Sequence, residues 1–362
     1  SRWDAVFGKS ESTQKALIRP DLEKLDLSVK GFISLDDLNA GDSGRIVGPK
    51  AAKLGELRHH FPEAVAPGVA IPFGQFRATV LDKPYKDSGT TVYEWMVSEY
   101  RRLHALPEGS SQRDAQTEQF RAELHDLILN TRLDDDFRHG LKQALEKNIG
   151  PDGSYGVFVR SDTNVEDLPG FTGAGLNLTL PNVVGAEDLV GSIAKVWASP
   201  FTARAFAWRQ SHMTAPEHVY TSILLLESVA SDKSGVLVTQ DIDTGSREVI
   251  SVAVNEGLGG AVDGQAAEAL RIPLDGSPVR VLATATAPWR RVPDPAGGLR
   301  FLRSSGSDAV LQPGEIDQLI DFATGLPSTF PPITDDEGNP APADVEFGFL
   351  DGGLRLFQLR PF

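Results

Sequence analysis

The hydrophobic positions of this chain begin without a period and acquire one at Gly48. Residues 1–45 mix charged and apolar side chains and read as an N-terminal extension with one helix near Thr13 to Leu25. From Gly48 the pattern sharpens: Pro49 suits a first helical position, and Ala51, Leu54 and Leu57 follow at helical spacing. Three amphipathic helices lie between Thr91 and Ile149. Val92, Met96 and Leu103 mark one, Phe120, Leu124, Leu127 and Ile128 the next, and Phe137, Leu141 and Leu145 the third. Strand signals take over at Val157-Phe158-Val159. After a helix around Leu189 to Trp197 they return at Ser222 to Leu226, Val236 to Thr239, Val249 to Val254 and Val279 to Thr284. A last helix over about Gly314 to Thr324 and a Pro-rich loop from Pro331 to Pro342 precede the C-terminal segment.

That segment, DVEFGFLDGGLRLFQLRPF over Asp344 to Phe362, predicts a hairpin with two chemically opposite faces. A three-residue loop at Asp351-Gly352-Gly353 pairs Leu350 with Leu354, and hence Glu346 with Gln358 and Asp344 with Arg360. Alternation then places these four polar residues on one face, with Val345, Phe347, Phe357 and Leu359 on the other. A carboxylate, a carboxamide and a guanidinium standing together can hold a cation and an anion at once. The pairing depends on turn length, since a loop longer by one residue separates Glu346 from Gln358. A solvated outer face is the alternative, and the hairpin alone leaves both open.

Length changes the picture only by suggesting about two domains. Acidic residues outnumber basic ones by 50 to 35, a formal charge of −15, which argues against a nucleic-acid backbone or an anionic membrane as partner. There is no cysteine, so disulfides and thiolate chemistry are excluded and a cytoplasmic, reducing location is the expectation. No apolar run approaches the roughly 18 residues of a membrane span. The chain starts at Ser1 with no initiator Met and no signal-peptide pattern, which fits a piece of a longer polypeptide or a processed product.

An acidic protein that binds a polyphosphate must concentrate cations locally, and three basic residues are candidates. Lys50 sits at a helix start, where free amides and the dipole favour an anion; simple solvation is the alternative. Arg160 closes a strand and opens the polar, then Gly-rich, segment to Gly175, which suits a lid over phosphates; a local pair with Asp162, Glu166 or Asp167 is the alternative. Arg360, on the hairpin, is the third.

These segments resemble a family. Gly48 to Leu57 is similar to the GGKxANLGEL opening of the nucleotide-binding domain shared by phosphoenolpyruvate synthase, pyruvate phosphate dikinase, glucan water dikinase and rifampicin phosphotransferase. Arg160 to Gly175 resembles VRSSxxxEDLPGxSxAG, Val196 to Ala205 resembles VWASxxxxRA, and Ser234 to Gly245 resembles SGVxFTxDPxTG. Gly257-Leu258-Gly259 resembles the start of GLGE, and the terminal hairpin resembles DIEWxxxxxxLxLLQxRPI. Six ordered blocks at compatible spacing make the resemblance specific.

The resemblance implies an α/β (α+β) ATP-grasp fold, with a first lobe over 46–215 containing a helical subdomain at about 90–150, and a second over 216–362. It implies ATP and Mg2+ as cofactors, Lys50, Arg160 and Arg360 as catalytic phosphate-binding cations, and Glu346 and Gln358 as metal ligands. Thr179, Glu227 and Asp241 fall at further nucleotide positions. Leu226 stands where relatives commonly carry Gln near the base, and Gly260 replaces the acid of GLGE. Such enzymes phosphorylate a histidine on a separate domain, and none of the seven histidines here lies in the matching GGxxSHxA context. The expected function is phosphoryl or pyrophosphoryl transfer from Mg-ATP to an acceptor outside this chain. An ATP sensor without turnover and a self-sufficient kinase acting on a small molecule or polysaccharide are the competing readings.

Overall fold

The computed structural model describes residues 17–166, 168, 176–307, 309–335 and 337–362. Two antiparallel sheets organise it. The first has the order β1-β2-β5-β3-β4, formed by Ile33–Ser34 (β1), Gly68–Ile71 (β2), Gly156–Thr163 (β3), Thr179–Val184 (β4) and Thr221–Glu227 (β5). The second has the order β13-β12-β6-β7-β8-β9. Its strands are Lys233–Val238 (β6), Val249–Glu256 (β7), Glu268–Pro273 (β8), Arg280–Ala283 (β9), Ala343–Leu350 (β12) and Gly353–Pro361 (β13). Trp289–Pro293 (β10) and Leu299–Arg303 (β11) pair as a separate hairpin. The first sheet therefore runs to Glu227 and borrows β1 from the expected extension, so the sheets change over after 227 and not at 215/216. The expected N-terminal helix is not seen over residues 17–25, which hold a bridge at Ile18 and turns; residues 13–16 lie outside the described residues.

The helices begin where local chemistry starts them. Helix α1 is Pro49–His60, and the three amphipathic runs become Val92–His104 (α2), Ser111–Leu129 (α3) and Asp135–Asn148 (α4). Thr91, Ser110 and Asp134 cap the last three by accepting a backbone N–H three residues on, the bond that satisfies an orphan donor of the first turn. Ala186–Ala198 (α5), Ala203–His212 (α6) and Pro313–Thr329 (α7) complete the long helices. Alternation along the first sheet feeds two cores. Ile71, Val159, Ile223 and Leu225 pack with Phe120, Leu141 and Trp197 of the helical subdomain. Ala70, Leu224 and Leu226 face α1 and share a core with the second sheet and α7.

Helix α1 is capped differently, because its N-cap is Gly48 and has no side chain to offer. The carboxylate of Asp162, 112 residues away on β3, accepts from Lys50 N at 3.0 Å and Ala51 N at 2.9 Å. Gly48 N donates to Ser222 Oγ, which in turn donates to Asp162 O. The first helix is thereby fixed to the middle of the first sheet. Asp162 is fully buried, and burial raises its carboxyl to about 7 although the Lys50 charge and the two amides oppose this.

A folded value above the ordinary 3.8 means the native protein binds a proton that the unfolded chain has released, so this group's contribution to stability falls as pH rises from about 4 towards 7. Asp162→Asn replaces one acceptor oxygen by a donor facing Ala51 N, and we expect a loss of about 1–3 kcal/mol. Urea denaturation across that pH window should also show a flatter pH dependence than in the wild type; an unchanged slope would show that Asp162 does not titrate there.

Candidate functional site

The terminal hairpin meets its expected pairing by a different route. Its turn has two residues, Asp351 and Gly352, both at positive φ (51° and 75°), with Leu350 opposite Gly353. This is the turn geometry whose twist matches paired strands, and the second position favours glycine. A regular ladder from that turn would set Glu346 against Phe357. Instead the register shifts between Glu346 and Phe347: Phe347 opposes Leu356, Glu346 opposes Gln358 and Asp344 opposes Arg360. Phe357 is the extra residue of a β-bulge. The three-residue loop is thus corrected to two residues plus a bulge, and the polar pairs survive because the two one-residue changes cancel.

Glu346 enters a cleft of about 320 Å³ between the sheets. Arg160, Thr179 and Glu227 line it from the first sheet, Ser234 and Glu346 from the second, and Arg291 from the β10–β11 hairpin. Phe158, Leu226, Val229, Leu258 and Leu299 supply apolar wall. One of these contributions had no legible signal. The hairpin β10–β11 was not anticipated, and its position is set by Asn182 on β4. Asn182 has φ 48° and is 3% exposed; its Nδ2 donates to Asp294 O and Gly298 O, both at 2.8 Å, and its own carbonyl accepts from Gly298 N. Ser234 Oγ holds the glycine loop by donating to Gly257 O and accepting from Gly259 N, each at 2.7 Å. At Gly260 a Cβ would stand 2.7 Å from Gln265 Oε1 and 2.9 Å from Asn255 Cβ, so the acid of the GLGE pattern does not fit this loop as built.

Among the described residues, Arg160 does not make the local pair with Asp162 or Glu166. Its guanidinium crosses from β3 to the hairpin, where Nη1 donates to Phe357 O at 2.7 Å and Nη2 to Gln358 Oε1 at 2.6 Å, with Glu346 Oε2 3.5 Å away. The residue is 8% exposed and its buried Nε has no partner among the described residues. Lys50 is buried, not solvated. Its ammonium donates to the carbonyl of Ser161, next to Arg160 in sequence, at 3.0 Å and pairs with Glu166, outside the cleft lining. The amides that an anion was expected to use at the start of α1 hold Asp162. Arg360 lies on the same face as Glu346 and pairs with Asp344 at 2.8 Å.

Thr179 is opposite Arg160 in the β3–β4 ladder, at the exposed rim. Glu227 ends β5, and burial raises its carboxyl against the opposing charge of Arg58. Asp241 stands apart from the cleft lining: it accepts from Asp243 N at 2.9 Å and Arg271 Nε at 3.1 Å, and the bond from Asp243 leads the effects that lower its carboxyl. That geometry is a turn clamp. Most of the Gly-rich segment, residues 169–175, lies outside the described residues, as does Asp167. None of the seven histidines lines the cleft.

The Glu346–Gln358 pair fits a hard divalent ion. Carboxylate and amide oxygens are what Mg2+ prefers, and it takes few protein ligands where phosphates and water complete its shell. Among the described residues no group of three or more His, Asp or Glu forms a self-contained metal cage. The guanidinium of Arg160 rests on both side chains, on the Gln358 amide oxygen at 2.6 Å and 3.5 Å from the Glu346 carboxylate.

A two-lobed, mixed helix-and-sheet architecture with an apolar-walled, cation-bearing cleft between its sheets is that of a nucleotide-binding domain of the ATP-grasp type. The family described as the pyruvate phosphate dikinase AMP/ATP-binding domain matches residues 44–362, and the chain belongs to that family. A probable phosphoenolpyruvate synthase of Methanothermobacter thermautotrophicus is 27% identical over 352 residues, covering 93% of this chain and 46% of that protein. One from Pyrococcus horikoshii is 33% identical over 176 residues, 49% of this chain and 21% of that protein. A Streptomyces rifampicin phosphotransferase is 30% identical over 236 residues, 65% of this chain and 25% of that protein. The chain therefore spans less than half the length of these relatives. No helix among the described residues is long and apolar enough to cross a membrane.

The tie at Asn182 predicts a local effect. Asn182→Gly keeps the left-handed backbone accessible and removes two buried donors, each worth about 0.5–1.5 kcal/mol. Amide exchange over residues 290–300 should accelerate by about tenfold or more. If those amides exchange as in the wild type, Asn182 does not hold the hairpin.

Proposed function

We propose that the cleft binds Mg-ATP and that the chain transfers a phosphoryl or pyrophosphoryl group to an acceptor it does not itself supply at the cleft, a histidine on another domain. The observation that carries this reading is the convergence of Arg160, Glu346 and Gln358 at one point between the two sheets. A binding relic has little use for a cation and a metal-binding oxygen pair set side by side. The apolar walls at Phe158, Leu226 and Leu258 suit a flat heteroaromatic base, and Glu227 at the end of β5 offers a polar edge.

Glu346 and Gln358 would hold Mg2+, which when bound neutralises and orients phosphate oxygens. The rest of the work falls to positioning and charge. Arg160 and Arg360 project from strands whose registers are fixed, so their charges start beside the metal ligands and reach phosphate by exchanging the oxygens they rest on. Lys50, behind Ser161, is the third proposed cation and reaches phosphate by leaving Glu166. Thr179 at the rim is proposed to contact phosphate oxygens. Phosphoryl transfer of this kind needs no obligatory side-chain base, only an acceptor placed in line.

A non-catalytic ATP sensor is the second reading, favoured by one observation: Lys50 is neutralised by Glu166 outside the cleft. Incubation with Mg-ATP, alone and with a histidine-bearing domain from a longer relative, followed by ion-exchange analysis of nucleotides, separates the readings. AMP with either phosphohistidine and one equivalent of inorganic phosphate, or pyrophosphohistidine, is the expected outcome. ADP with a phosphorylated small molecule would establish a self-sufficient kinase, and no product under any condition would favour the sensor.

Binding is tested separately by melting. Mg-ATP at a hundredfold excess over its dissociation constant stabilises a native state by about 2.7 kcal/mol. Glu346→Ala combined with Gln358→Ala should remove most of the resulting rise in Tm. Equal rises in both proteins would move the metal site elsewhere.

A further inference from the structure

Arg160 is placed unusually for a phosphate-binding cation, because its guanidinium already occupies the oxygens that would hold the metal. Nη2 takes Gln358 Oε1 at 2.6 Å and approaches Glu346 Oε2 to 3.5 Å, while Nη1 takes Phe357 O at 2.7 Å. Every one of these acceptors belongs to the hairpin of the second sheet, and Arg160 belongs to the first. We propose that Arg160 is a built-in cation of the Glu346–Gln358 pair: it holds both side chains in the metal-free protein and moves to the phosphates when the divalent ion and the nucleotide enter together. The inference rests on the reading of the cleft as a magnesium–nucleotide site.

Three considerations support the exchange. A guanidinium and a divalent cation repel, and one amide oxygen cannot serve both at these distances. Removing a buried arginine from its acceptors without a new anion leaves an uncompensated charge in a desolvated place, so a metal ion alone has no means of displacing it. A polyphosphate supplies that anion, but polyphosphate alone would draw Arg160 off Glu346 and leave the carboxylate facing it. Metal and nucleotide therefore each bind weakly alone and strongly together, and by linkage each raises the affinity of the other by the same factor. Lys50, buried on Glu166, follows the same logic, whereas Arg360 is exposed and pairs with Asp344.

The test is binding of Mn2+, followed by electron paramagnetic resonance, with and without a non-hydrolysable ATP analogue. In the wild type the analogue should tighten Mn2+ at least tenfold. Arg160→Gln, without nucleotide, should bind Mn2+ at least tenfold more tightly than the wild type, and adding Glu346→Gln should abolish that gain. Equal nucleotide-free affinities of wild type and Arg160→Gln would overturn the exchange. Failure of the wild type to bind Mn2+ even with the analogue would instead overturn the reading of the cleft.

Should Arg160→Gln not fold, the wild type itself decides. In 15N-arginine-labelled protein, the Nε–H signal missing from Arg160→Lys should move on adding Mg2+ with the analogue and stay in place with Mg2+ alone. A signal unmoved by the pair together would also overturn the exchange.

Discussion

The constraint on which the cleft chemistry depends is the one extra residue at Phe357. A two-residue turn fixes the hairpin so tightly that, continued without interruption, it would turn Gln358 away from Glu346 and put an aromatic ring opposite the carboxylate. The bulge resets the ladder by one position just before the polar pairs begin. It also turns the Phe357 carbonyl to accept from Arg160, so the same irregularity that aligns the two oxygen ligands supplies the third acceptor for the cation between them.

Charge in and around this cleft is balanced internally. The chain is strongly acidic as a whole, yet the three cations proposed for phosphate are each matched to an oxygen acceptor on the chain itself: Arg160 to Glu346 and Gln358, Lys50 to Glu166, Arg360 to Asp344. A buried cation left unmatched would cost several kcal/mol, which a marginally stable domain cannot sustain. Ligand binding in such a site is an exchange of partners and not the filling of a positive hole. The local pairing then sets how strongly metal and nucleotide depend on each other.

Two long-range contacts brace the elements around the cleft. Asn182 fastens the β10–β11 hairpin to β4, and Asp162 fastens the start of α1 to β3. Both are buried polar residues whose bonds run between segments more than a hundred positions apart. They hold the cleft's geometry without touching its contents.

Amphipathic period and the strand runs placed α1 to α5, α7 and most of the central strands in the sequence, because those signals are local: a helix buries one stripe and a strand one face whatever lies opposite. The polar face of the terminal hairpin was legible for the same reason, since Glu346, Gln358, Asp344 and Arg360 alternate with apolar neighbours. What the sequence could not decide was partnership. Short strands such as β2, β4, β10 and β11 carry too few residues for a period, and their existence rests on neighbours from elsewhere in the chain. Asp162 looked like an ion-pair partner for the adjacent Arg160, Lys50 like a free helix-start cation, and Asp241 like a nucleotide contact. The fold gave the first to a distant helix, the second to Glu166 and the third to Arg271, because a buried charge is settled by whichever counter-charge the packing brings within reach.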